Sequence, residues 1–173
     1  MSVPFGPEAQ GPTAGRFQAV PRVVVFLRRG ESVLLLRGAS DKPIWPGLLN
    51  GIGGHVEADE DPLSAARREV REECGLDVPG SALRLSAVIS IDLGAGQTGV
   101  LMLVFVADWL QDELGIGQSA EGTLEWHALS ELDGLPVLPD LRWLLPRIWD
   151  PGVLFARYSY DAAGRLQIAP AEA

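Results

Sequence analysis

Glu69, Glu72 and Glu73 stand three and four residues apart in the run Arg67-Arg68-Glu69-Val70-Arg71-Glu72-Glu73-Cys74-Gly75. In an α-helix, residues at those separations share a face, so three carboxylates crowd together and repel one another. A hard cation at their centre turns the repulsion into binding. Oxygen-only ligation is the preference of Mg²⁺, with Mn²⁺ as a substitute. A solvated, salt-bridged helix face is the plainer reading of the same run. Two further acids upstream, Glu57 and Glu60, and a glycine-rich approach favour the metal.

These acids need a helix and a loop to position them. Asp61 suits an N-cap and Pro62 the first helical position, while Gly75 fits just past the last turn. Leu63, Ala66, Val70 and Cys74 recur at helical spacing and are expected to face the core. Ahead of the helix, Leu48-Leu49-Asn50-Gly51-Ile52-Gly53-Gly54 is a loop whose backbone can approach a metal or a phosphate closely.

Gly54, Glu60, Arg68, Glu69, Val70, Glu72, Glu73, Gly75 and Leu76 resemble the signature of the Nudix hydrolases: G, five residues, E, seven residues, R-E-U-x-E-E-x-G-U, with U aliphatic. Every fixed position matches. The resemblance implies an α/β protein, a Nudix-type α/β/α sandwich with a mixed β-sheet between helices. It implies Mg²⁺-dependent hydrolysis of a nucleoside diphosphate linked to another group. It also implies Glu69, Glu72 and Glu73 as metal ligands together with the Gly53 carbonyl, and Glu57 and Glu60 as supporting acids. Arg68 would hold the carboxylates in orientation, although a surface ion pair of little worth is the simpler account of it.

In similar sequences another acid joins the site from a loop beyond the signature. Glu121 is the best candidate, with Glu113 and Glu125 as rivals and a merely solvated glutamate as the alternative. The nearest branch is the MutT-type nucleoside triphosphate pyrophosphohydrolases, supported by chain size, by Trp45 to Gly54 and by Glu121 to Leu132. Water would then attack the β-phosphorus directly and release a nucleoside monophosphate and pyrophosphate. Asp140 lies where relatives carry a base-reading residue, but a helix N-terminal acid favoured by the macrodipole is the preferred account of it. Trp45, Phe26, Trp126 and Trp143 could stack on a base or belong to the core. Tyr158 and Tyr160 line the cleft or cover the sheet.

Markers of other branches are missing: an S-Q-P-W-P-F-P stretch, a tyrosine near Asp92 to Gly94, and a proline near Ile91. ADP-ribose or a nucleotide sugar stays open as substrate. So does a module that senses a nucleotide without cleaving it, although such modules lose signature acids and none is lost here. An isomerase on the same scaffold needs a reactive cysteine in its pocket, and Cys74 is expected on the core side.

The chain has 173 residues with 14 basic and 23 acidic side chains, a formal charge of −9. Seven of the acids fall between Glu57 and Glu73, so much of the imbalance is local to the proposed metal site. An acidic protein lacks the electrostatic footprint for a nucleic-acid backbone, yet it can bind a nucleotide through metal ions, which invert the local sign. The single cysteine excludes an internal disulfide. No run of 18 apolar residues suggests a membrane span, and the opening residues lack a signal-peptide pattern, so a cytoplasmic location is expected. Members of the family often form homodimers; no segment here demands one.

Residues 1–18, rich in Pro, Gly and Ala, read as a mobile arm before one Nudix domain over 19–170 with its signature at 54–76. Strands are expected at 22–27, 31–37, 83–93, 100–109 and 123–127, and a terminal hairpin at 153–160 and 165–168. Residues 112–122 read as a loop, and 138–149 as a helix with Leu141, Leu144, Leu145 and Ile148 inward.

Overall fold

The computed structural model describes residues 15–41, 44–94, 96–109, 118–119 and 121–171. Residues 1–14 of the expected arm, and Glu113, lie outside them.

Among the described residues nine strands form one sheet: β1 (Ala19–Arg29), β2 (Ser32–Gly38), β3 (Leu49–Asn50), β4 (Arg84–Ile91), β5 (Gly99–Asp108), β6 (Gln118–Ser119), β7 (Gly122–Ala128), β8 (Leu154–Tyr160) and β9 (Leu166–Pro170). Their order is β6-β7-β2-β1-β5-β4-β8-β9, with β3 beside β2. β1 runs parallel to β5, and β4 to β8; the other pairs are antiparallel, so the sheet is mixed.

Side-chain alternation along β1 sorts the core into two layers. Val23, Val25 and Leu27 pack with Ala65, Ala66 and Val70 of α1 (Pro62–Cys74). Val24 and Phe26 pack on the other face with Leu141 and Leu144 of α2 (Leu141–Leu144), followed by Leu145 and Ile148. Helices therefore cover both faces. Among the described residues no helix is long and apolar enough to cross a membrane.

α1 starts and stops where its capping residues dictate. The Asp61 carboxylate accepts from the Leu63 and Ser64 amides at 2.8 and 3.1 Å, and Pro62 needs no partner for its nitrogen. Gly75 takes a left-handed conformation at φ 69°, and its amide donates to the Arg71 carbonyl at 2.9 Å. Ala66 and Val70 are buried as expected, whereas Leu63 and Cys74 are only partly covered; Ala65, Glu69 and Glu73 complete the buried face.

Two expectations need correction. The late helix is confined to Leu141–Leu144, because Pro146 has no amide to give to the Arg142 carbonyl. Turns still carry Leu145 and Ile148 inward through bonds to Leu141 and Leu144 at 2.9 and 3.2 Å. The stretch read as a loop ends in a strand, since Gln118 and Ser119 pair with Thr123 and Gly122. Two residues are too few to show a period-2 pattern. The two-residue β3 lies inside the stretch from Leu48 to Gly54 expected to be loop, and it gives no pattern for the same reason.

β1 and β2 pair only at Arg28↔Val33 and Arg29↔Ser32. The gap that opens beyond this contact is filled by residues 52–56, which bond along the first half of β1: Val25 to Ile52, Val23 to Gly54 at 2.9 Å and Val56 to Pro21 at 3.2 Å. This insertion sets the glycine pair of the signature in the sheet, beside α1.

Candidate functional site

Gly53 leaves no room for a larger residue, and Gly54 leaves none while the Glu69 carboxylate stays in place. A Cβ on Gly53 would collide with the Val23 carbonyl oxygen, and one on Gly54 with the Glu69 carboxylate. The Gly53 amide donates to the Glu73 carboxylate at 3.3 Å. Glu69 and Glu73 are about nine-tenths buried, at 9% and 8% exposure, an unusual state for glutamates. Glu72, one residue from Glu73, points outward instead and its side chain is 58% exposed.

Arg68 ties the acids together. Its Nη2 and Nε reach both oxygens of Glu60, at 2.7 and 3.2 Å; its Nη1 reaches Glu69 at 2.8 Å and Glu72 at 3.1 Å; its Nη2 also donates to the His55 carbonyl at 3.0 Å. Bonding to Glu60, then to Glu69, pushes the Arg68 pKa up. The same bond, with the Glu57 amide on Glu60 at 2.9 Å, holds the Glu60 carboxyl below the usual range. Glu57 is exposed and meets the cluster through this backbone contact.

The other expected residues are dispersed. Glu121 is exposed on the turn into β7, and its carbonyl accepts from Ala39 at 3.2 Å; β6, just before it, runs beside α1. Glu125 faces away from α1, opposite Leu35 in register. Its carboxylate takes two bonds from Arg37, at 2.5 and 2.8 Å, and one contact from His127 at 2.9 Å, which hold its pKa down. That arrangement reads as an internal ion pair rather than a catalytic acid. Partial burial, then the Glu73 charge, pushes the Cys74 thiol up to about 12, which disfavours the nucleophilic thiolate.

Trp45 is no core residue. It is 48% exposed and takes φ 55°, a left-handed conformation that a large side chain adopts only when its surroundings impose it. Here Leu48 donates to the Trp45 carbonyl at 3.1 Å, and Arg37 holds the Gly47 carbonyl at 3.1 Å. Phe26 is fully buried, Trp126 lies under the Arg29 guanidinium at 4.5 Å, and Trp143 meets Tyr158 edge-on. Asp140 precedes α2 but makes no capping bond, and burial raises its pKa.

One residue escaped the sequence reading. Arg22 on β1 shares the sheet face of Val24 by alternation, opposite α1, and its Nε is buried without a partner. An arginine opening a β-branched strand gives no pattern signal beyond a polar strand end.

Glu69, Glu72, Glu73, Glu57 and the Gly53 carbonyl offer only hard oxygen donors, the chemistry that suits Mg²⁺. Two of the carboxylates are buried against the glycine pair. In the present arrangement Arg68 lies between the acids, and among the described residues no three acidic side chains converge on one point. The donor set fits a hard divalent ion, with Arg68 as the charge that balances it.

A mixed sheet between helices, with a glycine pair against a glutamate-bearing helix, defines the class of protein: an α/β sandwich built around an acidic helix and loop. Residues 18–147 match the NUDIX domain, and the chain belongs to the Nudix family. Members of that family generally use divalent metal ions. In structure it is similar to the MutT protein of Bacillus halodurans, with a TM-score of 0.71 and 25% identity over 87% of this chain and 97% of that one. The Nudix domain of Shewanella oneidensis NrtR, solved with ADP ribose, shares the fold at a TM-score of 0.62 and 17% identity, over 83% and 91% of the two chains. In sequence the chain is similar to the NAD-capped RNA hydrolase NudC of Klebsiella pneumoniae strain 342, 28% identical over 144 residues, 83% of this chain and 51% of the relative. The Pseudomonas aeruginosa strain LESB58 protein of that name is 31% identical over 130 residues, 75% and 42% of the two chains. The chain spans about half the length of the curated relatives it matches.

Proposed function

We propose that this protein hydrolyses a nucleoside diphosphate linkage with Mg²⁺, for which Mn²⁺ substitutes. The observation that carries the reading is the burial of Glu69 and Glu73 against Gly54 and Gly53. Glu69, Glu72, Glu73 and the Gly53 carbonyl would hold the ion, with Glu57 in support. When bound, the cation neutralises the phosphate oxygens and eases departure of the leaving phosphate. Arg68 keeps the carboxylates in orientation through the bonds described above. Glu121 takes the proton of the attacking water, from a turn next to the α1 side of the sheet. Trp45 and Asp140 contact the base, the first with an indole already exposed and the second with a carboxyl left uncapped.

The substrate we favour is a nucleoside triphosphate, ordinary or oxidised on the base. Water oxygen bonds to the β-phosphorus, the bridge to the α-phosphate breaks, and monophosphate and pyrophosphate leave. The resemblance in structure to a MutT protein supports this. A second reading, cleavage of a dinucleotide diphosphate such as an NAD cap, is supported by the sequence relatives. ADP-ribose and nucleotide sugars follow as further candidates, and a purely sensing module is disfavoured because all the signature acids are present.

The test is a panel of 8-oxo-dGTP, dNTPs, NAD, ADP-ribose and nucleotide sugars incubated with Mg²⁺, with products resolved by chromatography. Highest kcat/KM on a triphosphate, with pyrophosphate released, supports the first reading. Highest kcat/KM on NAD supports the second. Binding without product on every compound contradicts both.

A further inference from the structure

Tyr158 and Tyr160 lie beyond residue 147, where the match to the family domain ends. They sit on β8, two apart and hence on one face, together with Ala156. That face joins the core layer of Leu141 and Leu144, opposite α1. The Tyr158 ring is fixed there: it meets Trp143 edge-on with centroids 6.2 Å apart, and its strand is pinned by Asp92 donating to its carbonyl at 2.9 Å. Only 2% of the residue is exposed, yet its hydroxyl has no hydrogen-bond partner. Burying a hydroxyl without a partner is costly, and the fold offers no return for it. Tyr160, two residues on, is 48% exposed.

Asp140 opens the same region from α2, and its carboxyl also has no capping bond. The Asp140 carbonyl accepts from the amide of Trp143 at 3.0 Å, the residue whose ring meets Tyr158, so the two side chains belong to one corner of the fold; burial first, and the Asp140 charge second, raise both phenols in pKa. A hydroxyl donor beside a carboxyl acceptor is complementary to a base edge that presents an acceptor next to a donor. Resting on the function proposed above, we propose that the C-terminal hairpin completes the base pocket: Tyr160 lies against the base, and the Tyr158 hydroxyl bonds its edge beside Asp140, which makes Tyr158 a specificity-determining residue. The discrimination then resides partly in a hairpin outside the signature domain.

Binding without turnover tests this. The four nucleoside 5′-monophosphates and ribose 5-phosphate are titrated calorimetrically into the wild type, Tyr158→Phe and Tyr160→Leu with Mg²⁺ present. The wild type is expected to bind one or more monophosphates more tightly than ribose 5-phosphate. Tyr158→Phe should lose about tenfold of that excess with ribose 5-phosphate unchanged, and its Tm should be equal or higher because the orphan hydroxyl is gone. Tyr160→Leu should weaken all four monophosphates and spare ribose 5-phosphate. The proposal is overturned if the wild type shows no excess, if both variants keep it, or if Tyr158→Phe lowers the Tm and weakens every ligand alike. Base-selective binding with no hydrolysis on the panel would sink the proposed function and leave this inference standing.

Discussion

Arg68 grips Glu60 through two nitrogens, at 2.7 and 3.2 Å, across eight residues of chain. The fork spans from the loop before α1 to the helix itself, and the same guanidinium holds Glu69 and Glu72. The bidentate geometry is open to arginine alone.

Arg68→Ala is therefore expected to lower kcat by about 10- to 100-fold, the range seen when a group orienting metal ligands is removed. Arg68→Lys should recover only part of it. Stability carries a pH signature as well. The folded pKa of Glu60 is depressed, so its pairing stabilises the fold above the unfolded value of about 4.3 and is lost as pH falls through the folded value. The Tm gap between wild type and Arg68→Ala should narrow in acid. Steady-state kinetics and thermal melts at two pH values check both; a constant gap contradicts the pairing.

Glu121 and Glu125 separate two roles. Glu121→Gln should cut turnover at least about tenfold with an unchanged circular dichroism spectrum; near-normal turnover rejects the role. Glu125→Gln should lower stability by about 1–2 kcal/mol, because Arg37 loses a charged partner in a half-buried setting, and should spare kcat. A fall in kcat with no loss of Tm would reverse the assignment.

Much of the candidate site's local framework was legible because a signature is local. Asp61, Pro62 and Gly75 announce the helix ends by chemistry that acts within one turn. The glutamate spacing follows from helical period alone. What stayed hidden depends on long-range contacts. The outward turn of Glu72, and the choice of Glu60 as the acid that Arg68 grips with two nitrogens, are tertiary facts that spacing does not carry. Helical spacing ran through Pro146, and only the missing amide shows that the regular helix stops short. Arg22 and the Tyr158 hydroxyl draw their interest from burial, which no periodicity reveals.

Burial raises the Asp140 pKa above its unfolded value of about 3.9. The folded state holds that proton more tightly, so stability falls as pH climbs from the unfolded value through the folded one. Asp140→Asn removes the penalty. Its Tm advantage over the wild type should be larger at neutral pH than below the unfolded value; equal advantage at both would contradict a buried carboxyl.

Cys74 should resist alkylation at mildly alkaline pH, since a thiol pushed up to about 12 carries almost no thiolate there. Mass spectrometry after iodoacetamide treatment of the folded protein checks this, and Cys74→Ala should keep full turnover. Rapid labelling with loss of activity would revive a covalent mechanism.

The most direct test of the central claim is a titration of Mn²⁺ followed by the electron paramagnetic resonance signal of the free ion. It compares the wild type with the Glu69→Gln/Glu73→Gln double variant, each shown to be folded. The buried pair beside Gly53 and Gly54 predicts saturable binding by the wild type and affinity at least about tenfold weaker in the variant. Equal affinity for the two proteins would contradict the assignment of these glutamates to a metal.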